Sequence, residues 1–228
     1  RMNSRSDLRT IREAAVAAAR SAGALLREMR QRGQFDVTYE EQHDVKLVAD
    51  ARAEEAILDI IRQARPNDAV ISEESGAHAG DTDNVWVVDP LDGTVNYSHG
   101  NPHFCTCIAW CHNGNPVVGV VYDPLRDELF SAVQGEGAEC NGTPIQISGT
   151  TCLEKAILAI GFGKFSPELY TMRDLVTLSA RIQKLRITGS AALDVVYTAC
   201  GRLDGYCENT VYVWDLAAAK IILEEAGG

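Results

Sequence analysis

An apolar run that ends in two carboxylates restricts this chain more than any other feature. Trp86-Val87-Val88-Asp89 reads as a buried strand, Pro90 ends its ladder pairing, and Asp92 follows three residues after Asp89. Gly93-Thr94 then opens a helical turn whose free N–H groups favour a phosphate. Carboxylates crowded at a strand end repel one another and lose solvation unless a cation lies between them. An acidic turn in solvent would account for this stretch taken by itself. Three other stretches repeat the pattern, however. Ser72-Glu73-Glu74-Ser75 follows the apolar residues 69–71, Asp50 follows Leu47-Val48-Ala49, and Asp215 follows Trp214 at the head of an apolar helix. Singly, Asp50 and Asp215 read as helix N-caps. Together the acids stand wherever a hydrophobic element begins or ends, and an all-oxygen set without His or Cys selects hard Mg²⁺ over zinc.

The rest of the chain supplies elements to carry them. Apolar residues at helical spacing predict a helix over 8–32, with Ser6 or Asp7 as its cap, and another over 50–64, stopped by Pro66-Asn67. Short strands follow at 69–71, 85–88, 104–110, 117–122 and 129–133, and the turns Asn113-Gly114 and Asp123-Pro124 make the last three an antiparallel meander. After Asn141-Gly142 strands and helices alternate: strands at 157–160 and 204–208, an extended piece at Ile187, helices over 167–182, 190–200 and 214–226. That is α/β grammar. Two halves are expected, an α+β half over 1–145 with the metal site and an α/β half over 146–228.

Composition narrows the partners. The net charge is 21 − 32 = −11, which argues against direct nucleic-acid binding, since that needs a basic face. It also means that an anionic substrate needs local help from a cation. No apolar run approaches the roughly 18 to 20 residues that span a bilayer, so no membrane span is expected. Seven cysteines without framework spacing, and no apolar leader at the start, point to free thiols and a cytoplasmic setting. Cys105, Cys107 and Cys111, with His103 and His112 nearby, read as small core residues of one strand, because no second CxxC-type pair completes a zinc site.

The blocks Glu73-Glu74-Ser75, Trp86 to Asn96 and Trp214-Asp215-Leu216-Ala217-Ala218-Ala219, with Glu225-Ala226-Gly227-Gly228 at the end, resemble the inositol monophosphatase family. These are Mg²⁺-dependent, typically lithium-sensitive sugar- and polyol-phosphate phosphatases, with relatives acting on fructose bisphosphate, histidinol phosphate and phosphoadenosine phosphate. The resemblance implies a layered α/β/α/β/α sandwich, with an antiparallel N-terminal and a mixed C-terminal sheet, and a homodimer. It implies two or three Mg²⁺ ions: Glu73, Asp89, the Leu91 carbonyl, Asp92 and Asp215 would hold a pair, and Glu74 a weaker third through water. Asp50 and Thr94 would form the hydrogen-bonded pair that activates the attacking water, and the Gly93 and Thr94 amides would bind phosphate. Gly189, Ser190 and Ala191 match the family's small-residue helix start beneath the substrate, and Glu208 matches the acid that grips polyol hydroxyls. The chain departs from the family at Lys46-Leu47-Val48-Ala49, where a Thr or Ser usually precedes the acid. Family members also continue beyond the final Ala-Gly-Gly, so the second half is expected to be cut short.

The chemistry so implied is in-line hydrolysis of a small phosphate monoester, with ions roughly 3.5 to 4 Å apart clamping the attacking and leaving oxygens. Inositol-1-phosphate leads because of Glu208, followed by fructose-1,6-bisphosphate and histidinol phosphate. A haloacid-dehalogenase-type phosphatase needs its two Asp at i and i+2; here they stand at i and i+3 with Pro90 between. A regulatory or scaffold protein on the same fold is the rival of another class, since bacterial relatives also bind transcription machinery. His43, His78, His99, His103 and His112 show no pairing with a nucleophile and read as exposed or satisfied structural residues.

Overall fold

Residues spaced three and four apart bury one face of helix α1 (Arg5–Gln31), with Ile11, Ala15, Ala18, Ala22 and Leu26 turned inward. The fold is seen in a computed structural model that describes residues 5–41, 44–162 and 172–228. An antiparallel hairpin follows, β1 (Val37–Glu41) and β2 (Asp44–Leu47), and β2 runs directly into α2 (Val48–Ala64). The second helix therefore starts two residues before the expected Asp50. Leu47 holds the cap position and Asp50 is the third helical residue, reaching back to accept the Leu47 N–H at 2.5 Å. The N-cap expectation for Asp50 is corrected on that ground.

Eight strands form the main sheet: β3 (Asp68–Ser72), β4 (Gly76–His78), β5 (Asp81–Asp92), β6 (Cys105–His112), β7 (Asn115–Asp123), β8 (Glu128–Val133), β9 (Ala138–Cys140) and β10 (Thr143–Pro144), with the short helix α3 (Thr94–Ser98) between β5 and β6. Their order is β10-β9-β8-β7-β6-β5-β3-β4, and β6, β7 and β8 are the expected meander. Pairing is antiparallel except between β3 and β5, which run parallel with Ser72 opposite Val88. The β5–β6 ladder skips Pro90 and Leu91 and resumes with Asp92 opposite Cys105. Pro90 thus interrupts the pairing rather than ending it, because the bulge absorbs the residue that lacks an N–H.

Alternation assigns the two faces. On β6, Ile108 and Trp110 join the core beneath α1 and α2, while Cys105, Cys107, Ala109 and Cys111 join the core on the other side. That second core is completed from the last third of the chain by α5 (Ala191–Ala199) and α6 (Val213–Glu225), which come after β11 (Ile157–Ile160), α4 (Met172–Ser179) and β12 (Lys184–Arg186), with β13 (Gly205–Cys207) between them. Close approach of α6 depends on Gly119 in β7: a Cβ there would lie 2.4 Å from the Ala218 carbonyl oxygen. A small sheet of order β12-β11-β13 is parallel throughout its described strands. The layers therefore run α1/α2, large sheet, α5/α6, small sheet, α4. The helix expected over 167–182 is described only as α4, since 163–171 lie outside the described residues. All seven cysteines are free, and among the described residues no helix is long and apolar enough to cross a membrane.

Candidate active site

Parallel pairing of β3 with β5 brings their carboxyl ends to one edge of the sheet. Glu73, the first residue past β3, donates its N–H to the Val88 carbonyl at 3.2 Å, so it stands beside Asp89. The two side chains hydrogen-bond to each other. Beyond the bulge, Asp92 turns towards the head of α5. Its Oδ2 accepts from the Ser190 hydroxyl, from the Ala192 N–H at 3.0 Å and from the Cys105 thiol at 3.6 Å. Asp215 occupies the same position in α6 as Asp50 does in α2: it is the third helical residue and accepts the Tyr212 N–H at 2.7 Å. It too is not an N-cap. Gly93 holds the turn into α3 at φ 88°, and a Cβ there would meet the His103 carbonyl oxygen at 2.9 Å, so only glycine fits.

These elements enclose a cleft of about 350 Å³, bordered by Glu73, Asp89, Leu91, Asp92 and Asp215. The turn residues Gly93 and Thr94, the helix start Gly189, Ser190 and Ala191, and Glu208 from the end of β13 border it as well. Asp50 and Glu74 do not line the cleft; Glu74 lies close enough to raise Glu73 through its charge, and Glu73 and Glu74 both raise Asp50. A second cavity of about 500 Å³, lined by Val195, Leu203, Leu216 and Leu223 among others, gathers no comparable set of acids.

Burial and mutual repulsion raise the whole acidic set. Asp50 is pushed up to about 8, chiefly by burial and then by Glu74 and Glu73, against the lowering effect of the Leu47 N–H. Glu73 and Asp215 rise to about 7 and Asp92 to about 6, each mainly by burial. Asp89, fully enclosed, is held well above the carboxylate range by burial and by Glu73, Asp92 and Asp215. Among the described residues no Lys, Arg or His lines the cleft. Oxygen donors that repel one another, with none of the protein's own cations between them, are the donor chemistry of a hard divalent ion.

Several expectations change in detail. The hydrogen bond between Asp50 and Thr94 is absent among the described residues: Thr94 gives its only hydroxyl proton to the Leu91 carbonyl at 2.9 Å. Glu74 pairs with Lys46 at 3.1 Å, so a side-chain cation lies where the resemblance puts a third ion. Asp194 and Tyr206 line the cleft although sequence reasoning passed over both. Tyr206 donates its hydroxyl to Glu208, and the Glu208 carboxylate packs against the Cα of Gly161. His78, His99 and His112 have hydrogen-bond partners, and His43 lies outside the described residues. His103 departs from the expectation: its Nε2 is buried without a hydrogen bond, 4.0 Å from the equally unpartnered Asp194 Oδ1. Only a regular i, i+4 place after Ser190 marked Asp194 in the sequence, and that is no signal.

Comparison with known proteins agrees with this geometry. The model of the inositol monophosphatase family matches residues 7–228. The chain is 42% identical to a Nus factor SuhB of Pasteurella multocida, over 94% of this chain and 82% of the relative. It is 41% identical to an inositol-1-monophosphatase of a Synechocystis species, over 98% and 79%. Among solved structures, the extragenic suppressor protein suhB of Bartonella henselae superposes with a TM-score of 0.89 at 36% identity, covering 94% of this chain and 84% of that one.

Proposed function

The chain belongs to the inositol monophosphatase family, and from that premise we propose that it is a Mg²⁺-dependent phosphomonoesterase of small polyol or sugar phosphates, with inositol-1-phosphate as its first substrate. Membership supports metal-dependent phosphatase chemistry. The observation that carries the reading for this chain is the cleft itself: acids from five separated stretches (Glu73, Asp89 with Asp92, Asp194, Glu208 and Asp215) converge on it, and the described lining offers an anion no cation. Mg²⁺ bound among those oxygens would supply the positive charge that offsets the phosphate and activates the attacking water.

The residues divide the remaining work. Glu73, Asp89, the Leu91 carbonyl, Asp92 and Asp215 hold the cations, and Glu74 serves a third. Asp50 takes the water's proton, since positive charge nearby draws its raised pKa down and frees its carboxylate to accept. Thr94 needs to turn its hydroxyl from Leu91 to join Asp50. The Gly93 and Thr94 amides and the Gly189, Ser190 and Ala191 segment seat the phosphate, and Glu208 accepts from substrate hydroxyls. A bisphosphate fits less well, because no described cation borders the cleft to meet a second phosphate. As part of the same proposal the chain divides at 145/146, supported by β10 ending at Pro144 and by the small sheet drawing all its strands from later residues.

Two substitutions probe the finer roles. Glu208→Gln is expected to raise KM for inositol-1-phosphate roughly tenfold, with 4-nitrophenyl phosphate turnover nearly unchanged, because only the polyol loses a charged acceptor. Steady-state kinetics on both substrates checks this. Lys46→Ala removes the cation paired with Glu74, and the activation curve is expected to reach its half-maximum at several-fold lower Mg²⁺; an unchanged curve means that Glu74 serves no ion.

The Pasteurella relative is a Nus factor SuhB, which raises a second reading, a regulatory or scaffold role without catalysis. The presence of every candidate ligand, Glu73, Asp89, Asp92 and Asp215 among them, favours the enzyme. A phosphate-release panel of inositol-1-phosphate, fructose-1,6-bisphosphate and histidinol phosphate, with Mg²⁺ and with or without Li⁺, decides the matter. Release from the first that needs Mg²⁺ and falls with Li⁺ is expected; no release from any of the three overturns the proposal.

A further inference from the structure

Cys105 and Cys107 sit side by side on β6, and the reaction above gives neither a task. Their Sγ atoms are 3.7 Å apart, and Cys105 Sγ lies 3.6 Å from Asp92 Oδ2. Ligand atoms of all three residues fall within 4.8 Å of one another. A tetrahedral ion with metal–sulfur bonds of about 2.3 Å needs its two sulfurs roughly 3.8 Å apart, with sulfur to oxygen slightly less. Two features of the fold produce this match. Cross-strand pairing sets Asp92 opposite Cys105, and alternation puts Cys105 and Cys107 on one face. The Ser190 hydroxyl lies 3.8 Å from Cys105 Sγ and donates to the same Asp92 Oδ2. Sequence spacing concealed the set, because its oxygen ligand comes from another strand.

We propose that Asp92, Cys105 and Cys107 form a distinct soft-metal site for a thiophilic divalent ion such as Zn²⁺ or Cd²⁺, and that filling it shuts down Mg²⁺ binding in the adjoining cleft. Thiolate ligands exclude Mg²⁺ itself and favour these softer ions. Binding breaks two S–H bonds and forms two metal–sulfur bonds; both protons pass to the buffer and no electrons are exchanged. The ion takes the place of the Cys105 proton on Asp92 Oδ2, draws charge from that carboxylate and repels Mg²⁺ from its other oxygen. The inhibitory half of the proposal rests on the role given to Asp92 above; the binding half does not.

The test titrates Cd²⁺ into the full chain freed of divalent ions and follows the ultraviolet thiolate-to-cadmium charge-transfer band. One Cd²⁺ per chain is expected to saturate the band, and Cys107→Ala is expected to abolish it. In the phosphatase assay Cys107→Ala keeps its turnover with Mg²⁺ alone and needs roughly tenfold or more Cd²⁺ for half-inhibition. The same band in Cys107→Ala overturns the site. A band without inhibition of an active enzyme overturns its link to Mg²⁺. Should the variant fail to fold, X-ray absorption on the Cd²⁺-loaded wild type decides: two sulfurs with oxygen are expected, and a shell of one donor type refutes the site. Absence of turnover on every phosphate monoester would sink the phosphatase reading, while a band lost in Cys107→Ala would still establish the metal site.

Discussion

Asp92→Asn is expected to lower Mg²⁺-dependent phosphate release by about 10³-fold or more and to leave the fold in place. Asp92 Oδ2 already accepts from Ser190, the Ala192 N–H and Cys105, which leaves Oδ1 as the oxygen for a cation. An asparagine turns its single oxygen to those donors and so points its NH₂ at the cation, replacing a ligand with a repelling dipole. The charge stabilisation supplied by one cation is worth several kcal/mol, and each 1.36 kcal/mol is about tenfold in rate. Stability is not expected to suffer, because Asp92 raises the pKa of both Asp89 and Asp215 through repulsion that a neutral side chain removes. Asp215→Asn follows the same logic at the head of α6, where its oxygen keeps the Tyr212 N–H. Initial rates at saturating substrate, with melting curves in EDTA, check both. Wild-type turnover in either variant refutes the ligand assignment.

The acids were legible in the sequence because each stands at the boundary of a hydrophobic element, and boundaries follow from local periodicity. The faces of β6 were legible for the same reason: alternation alone separates Ile108 and Trp110 from Cys105 and Cys107. Convergence was legible only through the family resemblance. It depends on β3 and β5 running parallel, and nothing local in 69–71 or 85–88 fixes the direction of a partner. The strands β4, β9 and β10 escaped because they are two or three residues long, and the hairpin β1–β2 because charged residues break up its apolar pattern. Placement of Asp50 and Asp215 failed by three residues. An acid at a helix start looks the same as a cap or as the third residue, and the carboxylate's reach back to Leu47 and Tyr212 becomes visible only with the backbone in hand. Lys46 with Glu74 and Asp92 with Cys105 are pairs that no single element contains.

Mg²⁺ is expected to stabilise the chain far more at pH 8 than at pH 5. In the folded chain Asp92 titrates at about 6, Glu73 and Asp215 at about 7 and Asp50 at about 8, all raised chiefly by burial. Unfolded, the same groups titrate near 4. Between those limits the folded state holds more protons than the unfolded one, so the stability of the metal-free chain is complete below about pH 4 and declines as pH rises through 6 to 8. At half the nominal 1.4 kcal/mol per unit, a discount for coupling among neighbours, Asp50 alone accounts for on the order of 3 kcal/mol. That is roughly 6 to 12 °C in Tm for a chain of this size. Mg²⁺ takes the place of those protons, favours the ionised acids and removes the decline. His103, whose pKa burial lowers, acts in the opposite sense, so the difference in Tm between Mg²⁺ and EDTA is the measure rather than either curve. It is expected to widen steadily from pH 5 to pH 8, and Asp50→Asn should flatten part of the EDTA curve. A gap that stays constant would mean that the acids do not meet one ion cluster, since acids that share no ions have no reason to exchange protons for Mg²⁺.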